Sequence, residues 1–448
     1  MRSADDALTL DVAERAIALV DSACSADIRR ARALLDADPS LARHDIACAC
    51  ATGDADDVRR RLDRSPELAR TPAPPHGYEP ILYACFSRLL RAEPARAPGI
   101  RAAVRALLEA GADPNASFDH EGWLQVPLYG AAGIANDAEL TRILVDAGAD
   151  PNDVRPGGGD DDRAVGEALY HAVEFPDTTC AALLVDAGTE PRVVDYCLGR
   201  ALNFADPATV EMLCARGARA SAGNLHQAVF KRRPPSTVGA LLDAGAPVDA
   251  PDDDGLTPLQ LATRWGDAAT ADLLLTRGAD PAAVTDDDRA LGAFLAGAPA
   301  PPRDATGLAE MLDMATHAGD LAAVRRLLDA GAPVDGDPTA DERPLGQASW
   351  RGHPAVVAEL VSRGARLTWD GGASPIGAAL HGSRHCHDPE GGPTMQTVDE
   401  IPREPYAQVV RILLDAGAPV PKSLWNGADR PATLIAELGI ELPAEPDR

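Results

Sequence analysis

Four side chains that could bind a metal ion lie close together in the last quarter of the chain: His381, His385, Cys386 and His387. Imidazole nitrogens and thiolate sulfur are ligands that zinc and other soft metals accept. The helix that carries His381 is expected to end near Gly382, so His381 and His385 should not share one helical face. Adjacent residues also bind a single tetrahedral ion awkwardly. We therefore expect no bound metal or cofactor, and a metal-dependent sensor or enzyme built on this cluster remains the alternative.

Other residue patterns of chemical interest are weaker. The aspartate runs 160–162, 252–254 and 286–288 supply carboxylates, but they lack the ligand spacing and the glycine of a calcium-binding loop. The chain contains no GxxxxGK phosphate loop, no GxSxG elbow and no HExxH motif. The sequence therefore predicts a protein that is not an enzyme.

Composition restricts the class of partner. The 42 Lys and Arg residues are outnumbered by 69 Asp and Glu residues, which gives a formal net charge of −27. A surface this negative repels a phosphate backbone, so nucleic acid is not expected as a partner. Hydrophobic residues make up 45% of the chain and aromatic residues only 4%, which predicts a core of Ala, Leu and Val in closely packed helices.

Two further features concern the origin and location of the protein. Only Lys231 and Lys422 are lysines, a bias that indicates a GC-rich genome and hence a bacterium. The first 21 residues are acidic where a secretory signal would be basic, and no window approaches the 18 apolar residues of a membrane span. We expect a cytoplasmic protein with no membrane partner.

One phrase recurs nine times: two apolar residues, two further residues and then a glycine, as in LLDAGAPV at Leu327. The nine glycines are Gly111, Gly148, Gly188, Gly217, Gly245, Gly278, Gly331, Gly364 and Gly417. Their spacing indicates a period near 33 residues with insertions. Apolar residues precede each glycine at intervals of three and four, as Leu321, Val324 and Leu327 do, which is typical of an amphipathic helix. The phrase therefore predicts a helix that ends at a left-handed glycine.

A second signal precedes each glycine by about 20 residues, and its clearest form is TPLQLA at Thr257. Thr257 can accept hydrogen bonds from the free amides of a first helical turn, and Pro258 suits the first position of the helix. Gly266 should end this helix after about two turns. Each unit is thus predicted to be a short helix, a turn, a second helix, a glycine exit and an extended link.

These two motifs resemble ankyrin repeats, whose first helix carries T-P-L-H-x-A and whose second helix ends in glycine. The motif stands here as TPLQLA, EPILYA at Glu79, VPLYGA at Val126, RPLGQA at Arg343 and SPIGAA at Ser374. Tyr83, Tyr129 and Gln260 replace the histidine. The resemblance implies an all-α ankyrin-repeat solenoid of about ten to twelve helix-turn-helix repeats with finger loops.

The repeats and insertions divide the chain into five expected regions. Residues 1–70 carry degenerate N-terminal repeats, 71–281 the central repeats, 282–305 a half-repeat with a Pro-rich connector, 306–420 the C-terminal repeats with an insertion at 382–405, and 421–448 a cap and tail.

The resemblance also implies where a partner would bind, because ankyrin proteins contact partners through finger tips and the ends of first helices. Carried over residue by residue, these positions are Tyr78, Phe86, Trp123, Phe175, Leu256, Arg264, Trp265, Trp350, Arg351 and His381. Aromatic residues and arginine dominate binding hot spots. The expected function is a monomeric, non-catalytic scaffold that binds a basic protein or peptide in its concave face. An inhibitor or immunity-type protein directed against a basic bacterial effector is the more specific alternative.

Overall fold

The computed structural model describes residues 10–24, 28–120, 123–152, 167–204, 206–299, 305–337, 343–368, 374–385 and 403–421, together with 431, 435–436, 438–440 and 442. The chain divides into two compact units. Unit 1 contains the described residues up to Arg200, and unit 2 contains those from Ala201 onward. Each unit is built from short helix pairs that stack on one another.

Unit 1 begins with two helix pairs and contains one hairpin. Its helices are α1 (Val12–Cys24), α2 (Ile28–Ala37), α3 (Ile46–Thr52), α4 (Ala55–Arg64), α5 (Pro80–Cys85), α6 (Leu89–Ala92), α7 (Ala97–Glu109), α8 (Ala138–Asp146), α9 (Glu167–Ala172), α10 (Thr179–Asp186) and α11 (Pro191–Ala201), where the division falls. A π-helical turn, Tyr129–Ile134, takes the place of a first helix before α8. Strands β1 (Phe118–His120) and β2 (Trp123–Gln125) form an antiparallel finger in which Phe118 lies opposite Gln125.

Unit 2 continues the same pattern. Its helices are α12 (Ala208–Ala215), α13 (Ala222–Phe230), α14 (Pro235–Asp243), α15 (Pro258–Trp265), α16 (Ala268–Thr276), α17 (Asp286–Leu295), α18 (Ala305–His317), α19 (Leu321–Asp329), α20 (Pro344–Trp350), α21 (Pro354–Ser362), α22 (Pro375–His385) and α23 (Arg403–Asp415). A single helix, α17, lies in the segment expected to hold a half-repeat. The expected region boundaries themselves stay predictions.

Helices of the same type pack side by side within each unit. In unit 1 the first helices α1, α3 and α5 pack in succession and are followed by the π-helical turn and α9, while α4 packs on α7 and α8 on α10. In unit 2, α13 packs on α15 and α15 on α17, and α20 packs between α18 and α22. The core between these layers consists mostly of Ala, Leu and Val, as the composition predicts. The all-α repeat architecture is therefore confirmed.

The start of α15 shows why the sequence folds this way. The Thr257 hydroxyl accepts a hydrogen bond from the Gln260 amide at 3.3 Å, and the Gln260 side chain accepts one from the Thr257 amide at 3.0 Å. This reciprocal capping box satisfies two amides that the helix itself leaves free. Pro258 occupies the first turn, and Gly266 ends the helix with a φ of 68°. All three roles were expected from the sequence.

The second helices end at glycine, also as predicted. All nine glycines of the recurring phrase have positive φ, between 86° and 103°. On α19, Val324 and Leu327 are buried, and Gly331 follows the last residues of the helix with a φ of 99°. A side chain with a Cβ atom rarely adopts this backbone conformation, which explains the recurrence of glycine.

Substitution of Gly278 isolates this backbone effect. Its φ is +97°, and an added Cβ would meet no atom within 4 Å. We expect Gly278→Val to lower the free energy of unfolding by about 1–3 kcal/mol through backbone strain alone. Urea unfolding measures the change. Gly278→Asn is the control, because asparagine tolerates the left-handed region and should cost less. An unchanged urea midpoint for the valine variant would contradict the prediction.

Other glycines allow first helices to approach each other closely. An added Cβ at Gly130, Gly292 or Gly382 would lie 2.5, 2.1 or 2.1 Å from the carbonyl oxygen of Cys85, Thr263 or Trp350, respectively. Each of these oxygens belongs to the end of the neighbouring first helix. The first helices therefore contact each other backbone to backbone at these points, and no other residue type fits there.

The expectation that a helix ends near Gly382 is wrong. Helix α22 runs from Pro375 to His385 and passes through Gly382. The reason is that Gly382 packs against the Trp350 carbonyl oxygen and does not serve as a left-handed helix exit. His381 and His385 are therefore four residues apart on one helix.

Within the described part of the chain, no helix combines the length and the apolar character that a membrane span requires.

Candidate functional site

Two of the predicted partner positions of unit 1, Tyr78 and Phe86, line one cavity. The aromatic cavity has a volume of about 530 Å³ and opens to solvent. Its lining residues are Asp21, Cys24, His76, Tyr78, Leu82, Tyr83, Phe86, Arg88, Phe118, Gln125, Tyr129 and Ile134. Tyr78 comes from a finger, and Phe86 caps the end of α5. The volume lies in the range of ordinary ligand sites.

The rings of the cavity belong to a longer series, which we call the ring row. Successive members lie 4.1 to 5.9 Å apart between ring centroids. They are His76, Tyr78, Phe118, Phe86, Tyr129, His171, Tyr170 and Tyr196. Offset or edge-to-face ring pairs stabilise such contacts. In a chain that is 4% aromatic, this concentration in one unit marks the region that differs most from a plain helical stack.

Tyr83 fixes the finger that carries Tyr78. Its ring is buried, and its hydroxyl donates a hydrogen bond to the Ala73 carbonyl at 2.7 Å. The same hydroxyl accepts hydrogen bonds from the His76 amide at 3.1 Å and the Tyr78 amide at 3.4 Å. Burial raises the pKa of Tyr83, so the hydroxyl stays protonated and keeps its donor role. The wall of the aromatic cavity is thus held in place by backbone contacts.

The remaining predicted positions of unit 1 do not line the cavity. The Phe175 ring is only 2% exposed and lies under the Arg91 guanidinium, whose carbon is 4.7 Å from the ring centroid. Trp123 pairs with His120 in the finger, and its side chain lies outside the described residues. Phe175 therefore presents little surface to a partner.

The first group of predicted positions in unit 2 is mostly buried or ion-paired. Leu256 is 8% exposed and Trp265 is 5% exposed, with the Arg232 guanidinium 4.9 Å from the Trp265 ring centroid. Arg264 contacts Asp288 at 2.7 Å and Glu310 at 2.6 Å. Arg264 thus connects α15 to α17 and α18 through two ion pairs.

Glu310 has a perturbed titration. Burial, with further contributions from Asp252 and Asp254, outweighs the charge of Arg264 and raises the pKa of Glu310 to about 7. For Asp288, hydrogen bonds from Arg264 and Thr285 outweigh burial and lower the pKa. Glu310 and Asp288, which both contact Arg264, thus have pKa values shifted in opposite directions.

The second group lies where the ends of several first helices of unit 2 converge. Arg351 is 6% exposed, with its guanidinium 5.3 Å from the half-buried Trp350 ring, and the His381 ring lies 6.3 Å from that of Trp350. Nearby, burial and the positive charges of Arg351, Lys231 and Arg233 lower the pKa of His317 to about 2. The end of α20 is therefore positively charged in an otherwise acidic chain.

Potential metal ligands occur on α22, as predicted, and also at the start of α3. Helix α22 carries both His381 and His385, whereas Cys386 and His387 lie outside the described residues. His44, Asp45 and Cys48 place their ligand atoms within 4.8 Å of one another. Asp45 accepts a hydrogen bond from the Cys48 amide at the start of α3, and burial raises the pKa of the Cys48 thiol. Asp45 thus serves as the N-terminal cap of α3.

A buried charge network links α9 to α11. Glu174 is 1% exposed and contacts His171 at 3.1 Å and the Arg200 guanidinium at 2.9 Å. Glu167 contacts the other ring nitrogen of His171 at 3.2 Å. Burial alone would lower the pKa of His171, but the charge of Glu174 and the hydrogen bonds to Glu167 and Glu174 raise it to about 9. His171 is therefore a cation at neutral pH.

Among the residues that line the cavity, Tyr78 and Phe86 were predicted from the sequence, whereas Asp21, Phe118, Tyr83 and Tyr129 were not. One signal was available, since Tyr83 and Tyr129 both replace the histidine of the first-helix motif. Tyrosines at this place in two motif copies could have indicated an aromatic surface. The predicted partner positions themselves stay predictions.

Part of this chain is similar to known ankyrin repeats. Residues 225–275 match the family model described as ankyrin repeats in many copies. Among solved structures, the human ASB11 ankyrin repeat domain is similar at 20% identity, and the match covers 55% of this chain and 99% of that one with a TM-score of 0.25. No curated protein matches the chain.

Proposed function

Because the chain is an ankyrin-repeat protein, we propose that it is a non-catalytic scaffold that binds a basic protein or peptide through finger tips and first-helix ends. Repeat stacks of this kind offer extended surfaces and generally serve protein–protein interaction. The fold alone names no partner, so the site must carry that part of the proposal.

The aromatic cavity is the observation that supports the proposal best. Tyr78 and Phe86, two positions expected to contact a partner, lie on its walls together with Phe118 and Tyr129. Aromatic side chains around an open, preformed cavity are typical of binding hot spots. A net charge of −27 favours a partner of opposite charge and would raise the rate of association.

Capture of the partner at graded salt tests the proposal. We expect the wild-type chain to retain a basic protein from a lysate of the source organism, and retention to fall as salt screens the charges. Tyr78→Ala should weaken binding of that protein by about tenfold or more, because it removes a half-buried ring at a hot spot.

Leu275→Ala is the control, since Leu275 is exposed on second helix α16, away from the finger tips and first-helix ends. Equal weakening by both variants, or retention that ignores salt, would contradict the proposal.

In its most specific form, the partner is a basic bacterial effector that this chain inhibits. The net charge of −27 again supports a basic partner. Inhibition of the protein encoded by an adjacent gene would test this version. As proposed, the chain acts as a monomer in the bacterial cytoplasm and does not bind nucleic acid, since its charge opposes a phosphate backbone.

A further inference from the structure

We propose that the aromatic cavity of unit 1 is a socket for an arginine side chain of the partner protein. This inference rests on the proposed function and adds the chemistry by which the partner is recognised. It follows from the ring faces, from one carboxylate at the cavity and from the contacts that the chain makes between its own arginines and rings.

The walls of the cavity suit a flat cation. Tyr78 and Phe118 stack with centroids 4.1 Å apart, and Phe86 meets Phe118 edge-on at 5.2 Å. Phe86 in turn meets Tyr129 at 5.8 Å. The face of each ring is the negative end of its quadrupole and attracts a cation placed over it. These rings already hold one another in position, so binding needs little reorganisation.

Asp21 supplies the one carboxylate among the lining residues. Its side chain is 44% exposed, but Oδ1 is buried 2.9 Å from His76 Nε2, so a partner would have to bind the other carboxylate oxygen. A guanidinium can stack on a ring while its N–H groups donate to a carboxylate at the edge of the stack. Asp21 would thus bind the edge of a guanidinium that enters among the rings lining the cavity.

Arginine fits better than lysine for two reasons. A guanidinium is more weakly hydrated than an ammonium, so it loses less on entering an aromatic cavity. A planar guanidinium can also stack on a ring face while its edge donates hydrogen bonds, and guanidinium carbons of this chain lie 4.7 Å from the Phe175 centroid and 5.0 Å from the Tyr170 centroid in unit 1.

Arg88 also lines the cavity, and its charge opposes that of Asp21. Burial raises the pKa of Cys24 to about 12, with Asp21 raising it further and Arg88 lowering it, so both charges lie near this thiol. Arg88 has interaction partners of its own. An incoming guanidinium would therefore have to reach Asp21 from the side away from Arg88.

Blocked pentapeptides that differ only at the central residue test the inference. The probes are Gly-Gly-X-Gly-Gly with X as arginine, lysine, citrulline or phenylalanine, titrated into the full chain by calorimetry or ligand-observed NMR. We expect the arginine peptide to bind at least about tenfold more tightly than the citrulline peptide, which has the same shape without the charge. Free arginine should bind no more tightly than the blocked peptide.

Asp21→Asn should weaken binding of the arginine peptide by about tenfold, because it removes a charge-assisted hydrogen bond. Asp36→Asn is the matched control, since Asp36 is exposed on α2 and does not line the cavity. Thermal unfolding of both variants checks that each remains folded.

Equal binding of the arginine and citrulline peptides, tighter binding of the phenylalanine peptide, or unchanged binding to Asp21→Asn would overturn the inference. If the captured basic protein still binds while no arginine peptide does, the scaffold function stands and the socket is wrong. If the arginine peptide binds in this pattern but no protein is captured, the recognition chemistry stands and the scaffold function is wrong. Tighter binding of free arginine than of the arginine peptide would also overturn the inference, because the cavity would then bind a small molecule and not a protein side chain.

Discussion

Replacing Gly292 by alanine is expected to lower the free energy of unfolding of unit 2 by about 2–4 kcal/mol. Gly292 lies within α17, and its added Cβ would be 2.1 Å from the Thr263 carbonyl oxygen and 3.3 Å from the Gly266 amide nitrogen. Both neighbours are backbone atoms at the end of α15, so no side chain can move aside. The two helices would have to separate, which opens the contact between them. Urea unfolding monitored by tryptophan fluorescence measures the loss.

Gly239→Ala is the matched control in the same unit. Gly239 also lies inside a helix, α14, but its added Cβ would meet only side-chain atoms of Arg277 and Leu273, at 3.9 and 4.0 Å. Alanine is the better helix former there and should stabilise by about 0.5–1 kcal/mol. If both variants change stability by the same amount, close backbone packing of α15 and α17 is not what requires Gly292.

The second large effect concerns the stability of unit 1 at alkaline pH. His171 has a pKa of about 9 in the folded chain against 6.5 for a free side chain. A histidine whose pKa is higher in the folded state stabilises the fold fully below the unfolded value and less as pH rises through the folded value. We therefore expect unit 1 to lose about 1–3 kcal/mol between pH 6.5 and pH 9.5.

Urea midpoints across this pH range, for wild type and His171→Gln, measure the effect. The glutamine variant should be less stable at pH 6.5 and should lack most of the pH dependence. His44→Gln is the control, because His44 lies in the same unit and outside this network. Parallel pH profiles for wild type and His171→Gln would show that the contact with Glu174 does not stabilise the charged imidazole.

Much of the fold could be predicted because its determinants are local. Thr257, Pro258 and Gly266 act within one short helix, and a capping hydroxyl, a proline and a left-handed glycine keep these roles in any protein. The apolar spacing on α19 likewise placed Val324 and Leu327 in the core. These features depend on neighbours within about one turn of helix.

Features that depend on neighbouring repeats could not be predicted. Gly382 has the same local context as a helix exit, and only the approach of the Trp350 carbonyl explains why the helix continues. The π-helical turn at Tyr129 is equally invisible, because its residues satisfy the same motif as the α-helical copies. For Gly382 this competing partner lies about a full repeat away along the chain.

In the candidate site, too, local positions could be predicted and contacts between repeats could not. Tyr78 and Phe86 follow from their places in one repeat, whereas Phe118 reaches them from a finger more than 30 residues further on. Asp21 belongs to α1, two first helices away from α5, and no spacing relates it to the cavity. Side chains that a stack brings together from different repeats carry no common pattern in the sequence.

The glycine contacts between first helices make certain repeats of this chain specific for their neighbours. The helix ends that face Gly130, Gly292 and Gly382 bring a carbonyl group so close that they accept only a repeat with glycine at that position, and a copy with any side chain there would be rejected. Shuffling, duplicating or deleting repeats should therefore fail at these joints even where the consensus residues are kept. In this protein the positions of these glycines therefore restrict the order in which the repeats can be stacked.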